Sequence, residues 1–315
     1  MRRFLSVIGA ASAIVLALVL LLEGAFRNQK NRIDVLFDRI EASRDVVDLV
    51  LIGNSHVGAL GDLDLHGKYK SLNLVVGGQD LFHAAAIMRY VVGRMPRLKV
   101  IIIGVDYHLL GYDLKGSNQD FLDRQYYPYI DSLYDNGFSN RLMAKSRFLR
   151  SNRDFRQLFA PPARQAVGEP SSADVVPVSD GKLTRDGCRK RAAEHTKIGF
   201  DDRLMSKNAS LLREMAESGK RARVSVLFVT LPKTRCYREF ADGGNIPGAR
   251  KLLYDVLRPE EGRHVLYLDY YEDQRFVDGD FKDYDHMNEA GRAKFQKVLQ
   301  ADLERLDTHQ RPERD

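Results

Sequence analysis

Apolar and polar positions follow three patterns along the chain. Phe4 to Leu22 is an uncharged run of mostly Leu, Val, Ile and Ala with no polar face. Residues 31–43 place Ile33, Leu36, Phe37 and Ile40 at helical spacing, which predicts a short amphipathic connector. From residue 46, short and mostly apolar runs take over: Val46 to Ile52 (broken only by Asp48), Leu72 to Val76 (around Asn73), Val100 to Gly104, Val224 to Thr230 and Val265 to Asp269. Helical patterns run from Leu81 to Gly93, Ile246 to Leu257 and Glu289 to Leu306. Strands apolar on both faces belong to a parallel sheet buried on both sides, so the expected fold is α/β, a three-layer sandwich around a central parallel sheet. Ligands of such sheets gather at the carboxyl ends of the strands. Residues 107–200 break the rhythm with Tyr, Asp, Arg and Asn, Pro161-Pro162 and a Pro-Ser-Ser-Ala stretch from Pro170, and are expected to form an insertion or cap. Residues 307–315 are expected as a disordered tail, and no internal repeat is present.

The first run changes the picture of location. At 1.5 Å per residue, residues 4–22 reach about 28 Å as a helix, close to the roughly 30 Å of a bilayer core. Glu23 stands where a signal-peptide cleavage site wants a small residue, so residues 1–25 are expected as an uncleaved anchor. Residues 26–45 would connect it to a domain over 46–306. Arg2 and Arg3 on one side face Arg27, Lys30 and Arg32 on the other, so charge alone does not fix orientation. The short amino-terminal tail makes its retention inside the easier route. The expected location is a bacterial inner membrane, with one span and the large domain in the periplasm or outside.

The 315 residues carry a net charge of +6, are 44% hydrophobic and 29% charged. That excludes a disordered chain, a collagen-like repeat and a multi-span transporter. Acids and bases are interspersed without a dense basic block, so no nucleic-acid partner is expected. Cys188 and Cys236, the two cysteines, cannot make a four-Cys zinc site, and export would allow them to pair.

Two short segments carry candidate chemistry. Leu51-Ile52-Gly53-Asn54-Ser55-His56 puts a serine just past the first strand, where it can serve as a nucleophile or simply as a helix cap. Phe281-Lys282-Asp283-Tyr284-Asp285-His286-Met287-Asn288 precedes the final helix. Asp283 and His286 are three apart, so a tight turn can set the carboxylate against the ring and orient it toward a nucleophile. The alternatives are a solvated acidic loop or a cation site built from Asp278, Asp280, Asp283 and Asp285; the EF-hand pattern fails. Val57 rules out a Gly-x-Ser-x-Gly turn, and Gly53 to Gly58 is not followed by the Lys-Ser or Lys-Thr of a phosphate loop. No metal or other cofactor is expected.

Ser55 after the first strand and Asp283-x-x-His286 after the last resemble the SGNH (GDSL-type) hydrolase superfamily over roughly residues 46–306. The resemblance implies a flavodoxin-like sheet, Ser55, Asp283 and His286 as catalytic residues, and Gly77 or Gly78 as an oxyanion donor. Two positions depart from the pattern: Asn54 replaces the Asp of the first block, and Asp106 replaces the Asn of the third. An ionised Asp106 cannot donate to an oxyanion. Together with the anchor, the chain resembles the membrane-anchored branch that includes alginate O-acetylation proteins and the D-alanyl transfer protein of teichoic acids. That branch implies O-acyl transfer, mainly O-acetyl, to a cell-envelope polysaccharide, beside a multi-span membrane O-acyltransferase as donor. The alternatives are an exported glycan acetyl esterase and a non-catalytic anchored assembly or polymer-binding subunit, the latter favoured by Asp106.

The remaining candidates have plainer readings. His56 neighbours Ser55 but should point away, as a pocket or surface residue. Tyr107 and His108 follow the third strand and either line the pocket or pack. His66 and His83 lack metal-like spacing. Tyr126-Tyr127-Pro128-Tyr129 suits either sugar stacking or the core of the cap. Lys233, Arg235 and Arg238 suit either an anionic polymer or a solvated loop.

Overall fold

The computed structural model describes residues 1–27, 30–58, 60–61, 63, 67–117, 121–130, 137–150, 183–197, 201–262 and 264–309. His66, Pro161-Pro162, the Pro170 stretch and residues 310–315 of the expected tail lie outside them. In chain order the helices are α1 (Arg2–Arg27), α2 (Arg32–Ser43), α3 (Ser55–Gly58), α4 (Leu81–Val92), α5 (Phe121–Gln125), α6 (Phe138–Lys145), α7 (Arg147–Arg150), α8 (Arg185–Thr196), α9 (Asp202–Ala222), α10 (Arg235–Ala241), α11 (Ile246–Leu257) and α12 (Glu289–His309). The strands are β1 (Leu49–Ile52), β2 (Ser71–Asn73), β3 (Val100–Gly104), β4 (Ser225–Thr230) and β5 (Val265–Asp269). Two compact units result: residues 1–38 with 115–165, and residues 39–114 with 166–315.

The larger unit holds the sheet. All its strand pairs are parallel, in the order β2-β1-β3-β4-β5. This is the expected three-layer α/β fold with flavodoxin-like strand order, whose switch point lies between β1 and β3. Leu49 and Leu51, Val100 and Ile102, and Leu227 and Val229 share one face with Phe295 and Leu299 of α12. The alternate residues point to the other face. There Gly219 of α9 lies so close to Val226 that a Cβ would come within 2.2 Å of its side chain.

Two strands are shorter than the apolar runs predict. β1 begins at Leu49; before it, the Asp48 carboxylate accepts the Lys70 N–H at 2.7 Å while the Asp48 backbone still bonds Lys70 and Val100. β2 ends at Asn73, whose side chain accepts the Val75 N–H at 2.9 Å, while the Leu74 and Val76 N–H groups still reach the carbonyls of Leu51 and Gly53. Helix α9 was not expected; it buries Leu211, Leu212, Met215, Ala216 and Gly219. Its Asn208 amide donates to the carbonyls of Leu109, Leu110 and Tyr112 and clamps the turn that follows β3. Cys188 of α8 and Cys236 of α10 form a disulfide across 48 residues. The last helix runs to His309, past the expected start of the tail at 307.

In the smaller unit, Phe37 stacks on Tyr129 with centroids 4.1 Å apart, and Tyr126 and Tyr127 are buried. These rings form the unit's own core and are not offered to a sugar. The Tyr129 hydroxyl donates to Asp34, which also pairs with Arg147 at 3.4 Å.

Candidate active site

The site sits at the carboxyl ends of β1 and β3. The chain leaves β1 through Gly53 with φ at 148°, a conformation that favours glycine. A Cβ there would lie 3.3 Å from the Gly104 backbone, and one on Gly104 would collide with Val57 at 1.7 Å. The two glycines therefore let the turn at the end of β1 close over the end of β3, with Ser55 as the first residue of α3. Asn54 closes the turn by accepting the His56 N–H at 3.2 Å.

The loop before α12 brings the second half. The Asp283 carboxylate accepts the backbone N–H groups of Asp285 and His286 at 3.0 and 2.7 Å. That tight turn sets His286 Nδ1 3.0 Å from Asp283 Oδ2 and His286 Nε2 3.1 Å from Ser55 Oγ. All three side chains are buried. An Nδ1–H donated to a carboxylate leaves Nε2 as an acceptor, so this imidazole can take a proton from the serine hydroxyl. The N–H groups of Ser55, Gly77 and Gly78 have no acceptor among the described residues and are free to donate. Gly78, with φ at 73°, turns the chain there.

A second carboxylate also meets the same imidazole. Asp285 Oδ1 lies 3.3 Å from His286 Nδ1. Asp285 is fully enclosed: Arg191 Nε donates to both its oxygens at 3.0 Å, and His56 Nε2 lies 2.8 Å from Oδ2. His56 Nδ1 in turn bonds Asp106, whose other oxygen meets Lys233 Nζ at 3.1 Å. The His56 ring is 4.5 Å from that of His286 and only 3% exposed. His56 is thus no surface residue: it turns inward and joins the β3 end to the last loop. Lys233 is equally buried, which removes it from any polymer-facing loop. Arg235 remains exposed, and Arg238 faces Glu272 at 3.8 Å.

Charge explains the arrangement. Burial pushes Asp106 and Asp285 up, but the groups packed on them win. His56 and Lys233 hold Asp106, and His286, Arg191 and His56 hold Asp285, well below the usual carboxylate range. Burial pulls His286 down, but the Asp285 charge and the Asp283 bond outweigh it and raise the ring above 6.5. His108 and His195, stacked 4.2 Å apart, go the other way; burial takes His108 down to about 3, so it is neutral. Tyr237 bonds His195 Nδ1 at 2.7 Å. Tyr107 donates to Asp269 and so packs in the fold, as does His83, which bonds Asp80 at 2.6 Å.

Three His and carboxylate groups have ligand atoms close enough to share an ion: His56 with His195 and Asp285, His56 with Asp106 and His108, and Asp283 with Asp285 and His286. In each, a carboxylate is already matched by His, Arg191 or Lys233, and a metal ion would have to displace those partners. Of the acids considered as a cation loop, Asp280 is bound to Lys294 at 2.8 Å, and Asp283 and Asp285 are committed to His286 and Arg191.

The buried pairs give a stability prediction. Lys233→Met leaves the Asp106 carboxylate short of its lysine partner and is expected to cost about 3–5 kcal/mol. Adding Asp106→Asn should recover part of that loss. Chemical denaturation of the full chain checks both, and wild-type stability in the single variant would contradict the pairing.

The sequence points to His56 as a pocket or surface residue, to Asp285 as a cation-loop acid and to Lys233 as a polymer contact or solvated residue, and gives Arg191 no role, whereas the structure packs all four around His286 and Asp106. The adjacency of His56 to Ser55 and of Asp285 to His286 was the available signal.

No protein-family model matches the chain, and no curated protein matches it. Solved structures do. A proposed acylhydrolase from Bacteroides fragilis has 13% identity over 85% of this chain and 94% of its own, with a TM-score of 0.42. A proposed platelet activating factor from Streptococcus pneumoniae has 11% identity over 92% and 99%, with 0.46. A GDSL-like lipase from Bacteroides thetaiotaomicron has 11% identity over 86% and 98%, with 0.42.

Proposed function

We propose that this chain is a membrane-anchored serine acyltransferase that places an acyl group, chiefly acetyl, on a hydroxyl of a cell-envelope polysaccharide. The observation that carries the reading is the unbroken chain of contacts from Ser55 Oγ through His286 to Asp283 at the carboxyl edge of the sheet. Ser55 Oγ attacks the acyl carbonyl while His286 Nε2 takes its proton. The bond to the leaving group breaks, and His286 returns the proton to that group. A sugar hydroxyl then attacks the acyl-serine, His286 takes its proton, and the Ser55 oxygen leaves and regains it. The oxyanion of each tetrahedral intermediate is met by the N–H groups of Ser55 and of Gly77 or Gly78. Asp106 is the partner of His56 and Lys233 and takes no part as a donor.

Two observations support an exported, anchored domain. Residues Arg3–Phe26 form a helix long and apolar enough to cross a membrane. The Cys188–Cys236 disulfide suits an oxidising compartment. The acyl donor in this reading is a multi-span membrane O-acyltransferase.

The test supplies the full chain in detergent with an activated acetyl ester and a polysaccharide acceptor. Acetyl recovered on glycan hydroxyls is the expected result. Release as acetate alone, with the acceptor present in excess, would make the protein an esterase.

The pH dependence of the ester reaction follows from the His286 environment. The base must be neutral, so the rate rises with pH through its raised pKa. Asp285→Asn removes the charge that raises it, and the acid limb should move to lower pH. An unmoved limb would show that Asp285 does not act on His286.

A further inference from the structure

We propose that helix α6 lies on the bilayer surface at the point where α1 leaves it, with Phe138 and Leu142 in the acyl-chain boundary and Arg141 and Lys145 on anionic lipid headgroups. This rests on the reading of α1 as a membrane span.

The position of α6 comes from Glu23. This residue directly follows the uncharged run that ends at Leu22, so it marks the level at which α1 exits the hydrocarbon. Its carboxylate accepts the Ser146 hydroxyl at 2.7 Å and the N–H groups of Arg147 and Phe148 at 2.9 and 3.1 Å. Phe26, one turn further along α1, has its ring 6.1 Å from that of Phe148. The corner between α6 and α7 is therefore held at the depth of residue 23, and α6 ends at that corner.

The surface of α6 suits that depth. None of its residues is buried. Phe138 is 83% exposed and Leu142 46%, and the two are four apart, on one stripe of the helix. Arg141 and Lys145, also four apart, are exposed beside that stripe, and neither has an acidic partner among the described residues. Residues 137–150 contain four basic side chains and no acid. Of the four, Arg147 is taken by Asp34, while Arg150 is buried and donates to the carbonyl of Met143 at 3.2 Å. An aromatic and a leucine offered to solvent beside exposed cations are the two halves of an interfacial helix: apolar area for the acyl boundary and positive charge for anionic headgroups. Contact there would also fix the smaller unit against the membrane through two attachments.

Single-cysteine spin labels on the full chain test this, in nanodiscs of phosphatidylcholine and phosphatidylglycerol in equal parts. Labels go at Phe138, Leu142, Ser139 and, as a control within the span, Ala17. Oxygen reports lipid and a nickel chelate reports water. At 138 and 142 the ratio of oxygen to nickel accessibility should be several-fold higher than at 139 and approach that at 17. R141E with K145E should bring the ratio at 138 down to that at 139. A water-like ratio at 138 and 142, with 17 in lipid, would overturn the proposal while leaving the span intact. Shielding of 138 from both reagents would overturn it in favour of a protein partner. A water-like label at 17 would overturn the span and the proposal with it.

Discussion

Ser55→Ala is expected to lower acyl transfer and ester turnover by about 10⁴-fold while leaving the chain folded. The Oγ is the atom that His286 Nε2 faces at 3.1 Å, and alanine leaves nothing to carry the acyl group. The change removes one buried oxygen and adds none, so Gly53 can still turn and the loop around Asp283 keeps its own bonds. Initial rates on a chromogenic acetyl ester, with circular dichroism on the same sample, check it. A folded variant within tenfold of wild type would place the nucleophile elsewhere, or the function outside catalysis.

Asp283→Asn is expected to cost about 10³-fold, and Asp285→Asn only about tenfold. Both carboxylates lie near His286 Nδ1, at 3.0 and 3.3 Å, but they are not equivalent. Asp283 also holds the turn through the N–H groups of Asp285 and His286, so it sets where the ring is as well as which nitrogen carries the proton. An asparagine can offer its NH₂ to Nδ1 and favour the tautomer protonated at Nε2, which cannot take the serine proton. Asp285 is committed to Arg191 and His56 and acts mainly through its charge. The double variant should approach the loss of Ser55→Ala. Rates for the three variants at a pH above the acid limb separate orientation from titration; the reverse order of losses would make Asp285 the orienting carboxylate.

The parts of this arrangement that were legible in the sequence are those written locally. Runs such as Val100 to Gly104 are apolar at every position because both sheet faces are covered, and a three-residue spacing is enough to join Asp283 to His286. Much of the charge around the triad was not legible, because it is assembled across long separations. His56 meets Asp106 and Asp285 over 50 and 229 residues. The expectation that His56 points away from Ser55 took account of α3 alone, and the acids at the ends of β3 and the last loop draw the ring inward. Arg191 lies on α8, whose buried face is Cys188, Ala192 and His195. Small and polar residues at helical spacing carry little apolar signal, so that helix disappears into a charged stretch. Helix α9 does carry the signal, in Leu211, Leu212, Met215, Ala216 and Gly219, and falls beyond the stretch assigned to a cap.

The most direct test of the central claim is covalent. The full chain in detergent is treated with a fluorophosphonate, and peptides are read by mass spectrometry. The account predicts one phosphonyl adduct, on Ser55, that is lost in His286→Ala. An unlabelled Ser55 in folded wild-type protein, or an adduct that persists without His286, would contradict it.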